Sequence, residues 1–136
     1  MQTVMTTEHI IRIVKGPWTD PSPYKETYDG FVIITNRQRI YFGVEAGQQC
    51  CEQTGYFMSE DEPSEFLGAM VTEVTVTDTA LRTYDDLDML EAGGVMFVNV
   101  VTDRGTLQFV CYNAHNGYYG HEAKVISEQV TQEKHL

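Results

Sequence analysis

The chain is poor in positive charge: nine lysines and arginines stand against twenty acidic residues, a formal net charge of −11. That argues against broad, charge-driven binding to DNA, RNA or an anionic membrane, while leaving room for a small anion held by a few arginines. Much of the acidic excess is expected to serve solubility alone. No apolar run approaches the length of a membrane span. Met1 to Glu8 lacks the basic and apolar regions of a secretory signal, so a cytoplasmic location is expected. Three cysteines, two of them adjacent, build no disulfide framework, in keeping with a reducing compartment. A phosphate-binding glycine loop followed by lysine, a Gly-x-Ser-x-Gly elbow, a Cys-x-x-Cys pair and paired histidines are all missing. The expectation is therefore no enzyme, no cofactor and no metal site.

What is present points to a folded domain. Hydrophobic residues make up 42% of 136 positions, enough for one core without staples. Ile10–Val14, Phe31–Thr35, Arg39–Val44, Met70–Thr79, Val95–Thr102 and Thr106–Tyr112 read as strands, with Ala123–Ser127 as a last strand or short helix. Lys15 to Tyr28 holds three prolines and is expected as a loop anchored by Trp18. Glu45 to Met58 is expected as a loop with one helical turn, and Leu81 to Gly94 as a loop that touches the core and holds a short helix. Asp103-Arg104-Gly105 marks a hairpin. The fold class is mainly β, or α+β with little helix: a single domain over residues 1–136, built on a twisted antiparallel sheet with long loops. Flexible ends are expected at 1–8 and 129–136.

The chain's most unusual stretch is Cys111-Tyr112-Asn113-Ala114-His115-Asn116-Gly117-Tyr118-Tyr119-Gly120. Asn116-Gly117 suits a tight primed turn, so one reading is a plain hairpin. The other is a recognition loop, in which Tyr112, Tyr118 and Tyr119 offer stacking faces and Asn113, His115 and Asn116 read hydrogen-bond edges. Arg82 and Arg104 are the candidates to meet an anion beside them. The triplet Cys50-Cys51-Glu52 is also unusual. A zinc site joining it to Cys111, His115 and His121, or a nucleophilic cysteine paired with His115, needs ligands or an orienting residue that the spacing does not supply. Buried small hydrophobes are the expected role of the thiols.

Taken together, Cys50-Cys51-Glu52, Leu67-Gly68-Ala69-Met70-Val71, the strand pair about Asp103-Arg104-Gly105 and Asn113-x-x-Asn116-Gly117-Tyr118-Tyr119-Gly120 resemble a family. It is one of small phage and prophage proteins known only as a domain of unknown function. Ala114-His115 stands where that pattern has two serines. More distantly the chain resembles the Thoeris anti-defence sponges, which sequester cyclic ADP-ribose-type and cyclic oligonucleotide signals. The resemblance implies a non-catalytic counter-defence protein that binds a nucleotide-like ligand as a homo-oligomer, without membrane or direct nucleic-acid binding. The alternatives are an acidic inhibitor of a nucleic-acid-binding defence complex, similar to an anti-CRISPR protein, and a β module of other role. A sponge needs an arginine beside tyrosines; a nucleic-acid mimic needs a continuous carboxylate face.

Overall fold

The computed structural model describes residues 7–23, 26–47, 52–60, 62–87, 93–115 and 121–136. Nine strands form among them: β1 (Glu8–Thr19), β2 (Thr27–Thr35), β3 (Arg39–Glu45), β4 (Glu52–Met58), β5 (Met70–Thr77), β6 (Gly93–Thr102), β7 (Gly105–His115), β8 (Glu122–Ile126) and β9 (Thr131–His135). All neighbours are antiparallel, in the order β4-β7-β6-β5-β1-β2-β3-β8-β9. The expected mainly β, single-sheet domain is what forms, with two single-turn 3-10 segments, Pro63–Phe66 and Asp85–Leu87, as its described helical parts.

β1 belongs to two halves at once. Its first residues, Glu8 and His9, pair with Val71 and Met70 of β5, and the rest pairs with β2 alone. The sheet therefore folds over itself, and one core fills the space between a β2 half (β1, β2, β3, β8, β9) and a β7 half (β4, β7, β6, β5). Ile33, Ile40, Phe42, Val44 and Val125 from the first meet Val98, Val100, Leu107, Phe109 and Cys111 from the second, all of them fully buried or nearly so. The Phe31 ring touches Phe109 and Tyr56 edge-on, with centroids 4.9 and 5.6 Å away. Such edge contacts add roughly 0.5–1.5 kcal/mol each to the burial of the rings.

Several expectations are corrected here. β1 continues through Gly16 and Pro17 to Thr19, because on that stretch it pairs only with β2. A proline costs a strand little when it keeps to an edge. Trp18 is the anchor expected of it: it is buried, stacks on Tyr28 at 4.6 Å and donates its indole N–H to the Phe42 carbonyl at 3.1 Å. Residues 52–58 form a strand, not a loop. A bulge between Val71 and Glu73 moves β5 out of strict alternation, so Val71 and Val74 both face the core. At the end of the chain, expected to fray, β9 pairs with β8 and Leu136 is buried. Asn116-Gly117, read as a tight turn, lies outside the described residues; β7 is hydrogen-bonded to β4 and β6, and β8 to β3 and β9.

Candidate functional site

Strand alternation divides the predicted site residues. On β7, Leu107, Phe109 and Cys111 face the core, so Gln108, Val110 and Tyr112 face outward and Asn113 faces inward. Neighbours in sequence thus lie on opposite sides of the sheet. Asn113 is fully buried, and its Nδ2 donates to the Leu136 carbonyl at 3.4 Å. Tyr112 lies on the outer face across β4, over Gly55, the residue paired with it. Any side chain at Gly55 would run into the Tyr112 ring, which explains a glycine inside a strand.

That outer face carries a second small core. Phe57 of β4 packs on Tyr84 at 4.9 Å and on Tyr112 at 6.1 Å, with Phe97, Val110, Val95 and Leu87 closing the cluster. Beside it opens a cleft of about 300 Å³ lined by Phe57, Met58, Ser59, Arg82, Thr83, Tyr84 and Asp85. The size is at the lower end of ordinary ligand pockets. Arg82 stands on its rim, half exposed, with one guanidinium nitrogen 3.0 Å from Glu60. An exposed pair of this kind holds little energy, so the remaining N–H groups are open to a ligand.

The loop that brings Arg82 and Tyr84 to the cleft is held by one buried side chain. Gln108 has no solvent exposure, and its amide is fully used. Its Oε1 accepts from the Tyr84 hydroxyl at 2.7 Å and the Leu81 N–H at 2.8 Å. Its Nε2 donates to the Thr79 carbonyl at 3.0 Å and to Asn99 Oδ1 at 2.8 Å. Ser59 closes the arrangement, its hydroxyl accepting from the Gln108 N–H at 3.0 Å. A buried amide with both donors and both acceptors satisfied fixes geometry strongly, since any loop movement leaves a polar group unpaired. Burial raises the Tyr84 phenol, with Glu60 adding to the rise and Arg82 opposing it. It therefore stays a neutral hydrogen-bond donor.

Of the predicted residues, Arg82 and Tyr112 share this outer face, joined through Phe57. Arg104 does not join them. It sits in the β6–β7 turn, at the other end of the hairpin, and donates to the Glu65 and Leu67 carbonyls at 2.8 Å each, capping the Pro63–Phe66 turn. Asn116, Tyr118, Tyr119, Cys50 and Cys51 lie outside the described residues, as do the side chains of His115 and Glu52. Cys111 is a core residue whose thiol burial pushes well up, the opposite of an activated nucleophile. Among the described residues no three metal-ligating side chains converge.

Phe57, Tyr84 and Gln108 were not legible as site residues. Gly55 was the available signal for β4 and for an aromatic lying on it. Nothing in Leu107-Gln108-Phe109 distinguishes a buried glutamine from a solvated one.

The profile of a family described as a domain of unknown function, DUF7448, matches residues 5–125. No curated protein and no solved structure matches the chain.

Proposed function

The chain belongs to the DUF7448 family of unknown function, and from its outer cleft we propose that it binds a small nucleotide-like ligand without transforming it. In the setting its sequence resembles, this makes it a phage-encoded sponge that removes a cyclic ADP-ribose-type or cyclic oligonucleotide signal from a bacterial defence pathway. The observation that carries the reading is Arg82 on the rim of a cleft walled by Phe57 and Tyr84, with Tyr112 one ring further. A base stacks on the aromatic wall and one anionic group meets the guanidinium. The loop is pinned by Gln108 before any ligand arrives, so little ordering entropy opposes binding. Binding rather than catalysis fits the lining, in which the Ser59 hydroxyl is engaged by Gln108 and Tyr84 stays protonated.

Calorimetry against cyclic ADP-ribose isomers and cyclic di- and trinucleotides tests this. Wild-type protein should bind at least one of them. Arg82→Ala and Tyr84→Phe separate the guanidinium from the phenol hydroxyl. The first should weaken affinity about tenfold or more, corresponding to one charge-assisted hydrogen bond of roughly 1.5–3 kcal/mol. The second keeps the ring and should change affinity far less. Failure of every nucleotide to bind sinks the proposal.

A second reading has its own observation. On the outer face of the β2 half, Glu26, Glu45 and Glu133 lie close enough to Tyr28 to raise its phenol further than burial alone does. A basic partner would find that acidic face, and reversing Glu45 and Glu133 to lysine would abolish such an interaction while leaving nucleotide binding intact.

A further inference from the structure

The outer face of the β2 half is charged oppositely at its two ends. Ile13, Ile33, Ile40, Phe42 and Val125 point into the core, so their neighbours along each strand point out. The register sets Arg12, Ile34 and Arg39 side by side at one end of this face. Val14, Val32, Tyr41 and Ile126 form the next row, each of them partly exposed. At the other end Glu45 lies beside Tyr28, with Glu122 and Glu133 on β8 and β9.

The arginines at the first end differ from the other described cations. Arg37 pairs with Glu128, Arg82 with Glu60 and Lys124 with Asp20. Arg104 and Lys134 donate to carbonyls, and Lys15 lies over the Tyr56 ring. Arg12 and Arg39, both exposed, have no hydrogen bond or ion pair among the described residues. A chain of net charge −11 thus leaves two arginines uncompensated beside an apolar row. Arg12 stands at the margin, next to Pro63 and Leu67, and Arg39 stands on β3, the middle strand of this half. The outward residues of β3 are Arg39, Tyr41, Gly43 and Glu45: a cation, a ring, a glycine and a carboxylate. Turned end for end, that series meets itself with opposite charges in register. The Glu122 N–H holds the Glu45 carboxylate in place.

We propose that two copies pack this face against itself, across a twofold axis that crosses β3 at right angles. Arg39 of each copy then meets Glu45 of the other. Tyr41 comes against the second copy's Trp18, the ring that lies over Gly43. Sheets stacked in this way lie about 10 Å apart, with side chains from both filling the gap. An axis along the strands would instead bring arginine end to arginine end and acid to acid, which costs affinity. Exposed ion pairs hold little energy by themselves. Here they choose the orientation, and the apolar row supplies the contact. The contact uses the same patch on both copies, so it closes at two.

The inference rests on this face and not on the nucleotide reading, so a dimer that binds no nucleotide sinks that reading alone. Sedimentation of wild-type protein at micromolar concentration should give twice the 15.4 kDa of one chain. Arg39→Glu and Glu45→Arg should each sediment as a monomer, since each sets like charges together at both contacts. Mixed in equal amounts they should form a dimer, because both contacts then join opposite charges. Hydroxyl-radical footprinting needs no variant: Tyr41 should be labelled less in concentrated wild-type protein than in dilute. Where circular dichroism shows that a variant misfolds, the footprint decides. A variant that stays dimeric alone, a mixture of folded variants that stays monomeric, or Tyr41 labelling indifferent to concentration would each overturn the proposal. A wild-type monomer also overturns it, and leaves the acidic end to a basic partner.

Discussion

The two outer faces of the folded sheet use the same device to different ends. Each lays an aromatic ring over a strand glycine: Trp18 over Gly43 in the β2 half, Tyr112 over Gly55 in the β7 half. In the β2 half the rings are sealed. Trp18 is 6% exposed and Tyr28 2%, and the ion pair of Lys124 with Asp20 stands on the same face. In the β7 half the rings border an open cleft, and the cation on its rim is half exposed. Sealing gives packing energy; leaving the wall open gives a surface for a partner. The contrast explains why only one of two similar clusters is a candidate site.

The largest effect that sharpens the contrast is expected from Lys124→Met. Lys124 donates to Asp20 at 2.7 Å, and Asp20 is 4% exposed. Burial alone would raise the Asp20 carboxyl, but the hydrogen bonds from Lys124 and Ser22 prevail and lower it below its usual 3.8. The hydrogen bond to Asp20 raises Lys124 above 10.5 against the opposing effect of burial. The variant strands a buried carboxylate, which should cost about 3–5 kcal/mol at neutral pH. The depressed carboxyl contributes stability present above 3.8 and lost as pH falls through its folded value; the raised amine contributes stability present below 10.5 and lost above its own. Melting curves should therefore show wild type and variant converging in acid and in strong alkali. A constant gap across pH would mean that the pair is not what seals this face.

Gln108→Leu comes next and acts on the open face. It leaves the Leu81 N–H, the Thr79 carbonyl and the Tyr84 hydroxyl without their partner. A buried group left unsatisfied costs roughly 1–3 kcal/mol, less where the loop opens to water. Melting should fall less than for Lys124→Met, while amide exchange at Leu81 speeds up and nucleotide affinity drops. Unchanged exchange at Leu81 would show that the loop is held by its apolar contacts instead. Arg82→Ala is the smallest effect on folding, below about 1 kcal/mol for an exposed pair. A large loss of stability there would place Arg82 with the sealing residues and remove it from the candidate site.

Much of the sheet was legible because β2, β3, β6 and β7 carry β-branched and aromatic runs whose alternation survives in the structure, while β5 was found by its β-branched run although a bulge breaks its alternation. The failures have physical causes. Pro17 read as a breaker and residues 53–58 as a loop, yet Pro17 lies where β1 has a single neighbour and Gly55 admits an aromatic ring inside a strand. β9, Thr131-Gln132-Glu133-Lys134-His135, is exposed throughout, so no apolar alternation marks it. The site was harder to see than the fold. Tyr112 and Arg82 were found because tyrosine and arginine announce themselves chemically, but that Asn113 faces the core and Arg104 caps a distant turn depends on strand direction and hairpin length. Gln108 shows the limit most clearly, since its partners are Ser59 just past β4, Asn99 of β6 and the loop before β6.

The interleaving of the two halves along the chain bears on how the molecule is made. The β7 half is an uninterrupted run from β4 to β7, set between two pieces of the β2 half, whose β3 waits for β8: Tyr41 pairs with Ile126. Loop closure over so long a separation is slow compared with zipping the β6–β7 hairpin. During synthesis the cleft-bearing half is complete while Ile40-Tyr41-Phe42-Gly43-Val44, already beside β2, still lacks β8 on its other side. That interval is when the chain is most exposed to aggregation. Pulse-labelled exchange should find β6 and β7 protected before β3, and the reverse order would contradict this sequence of events.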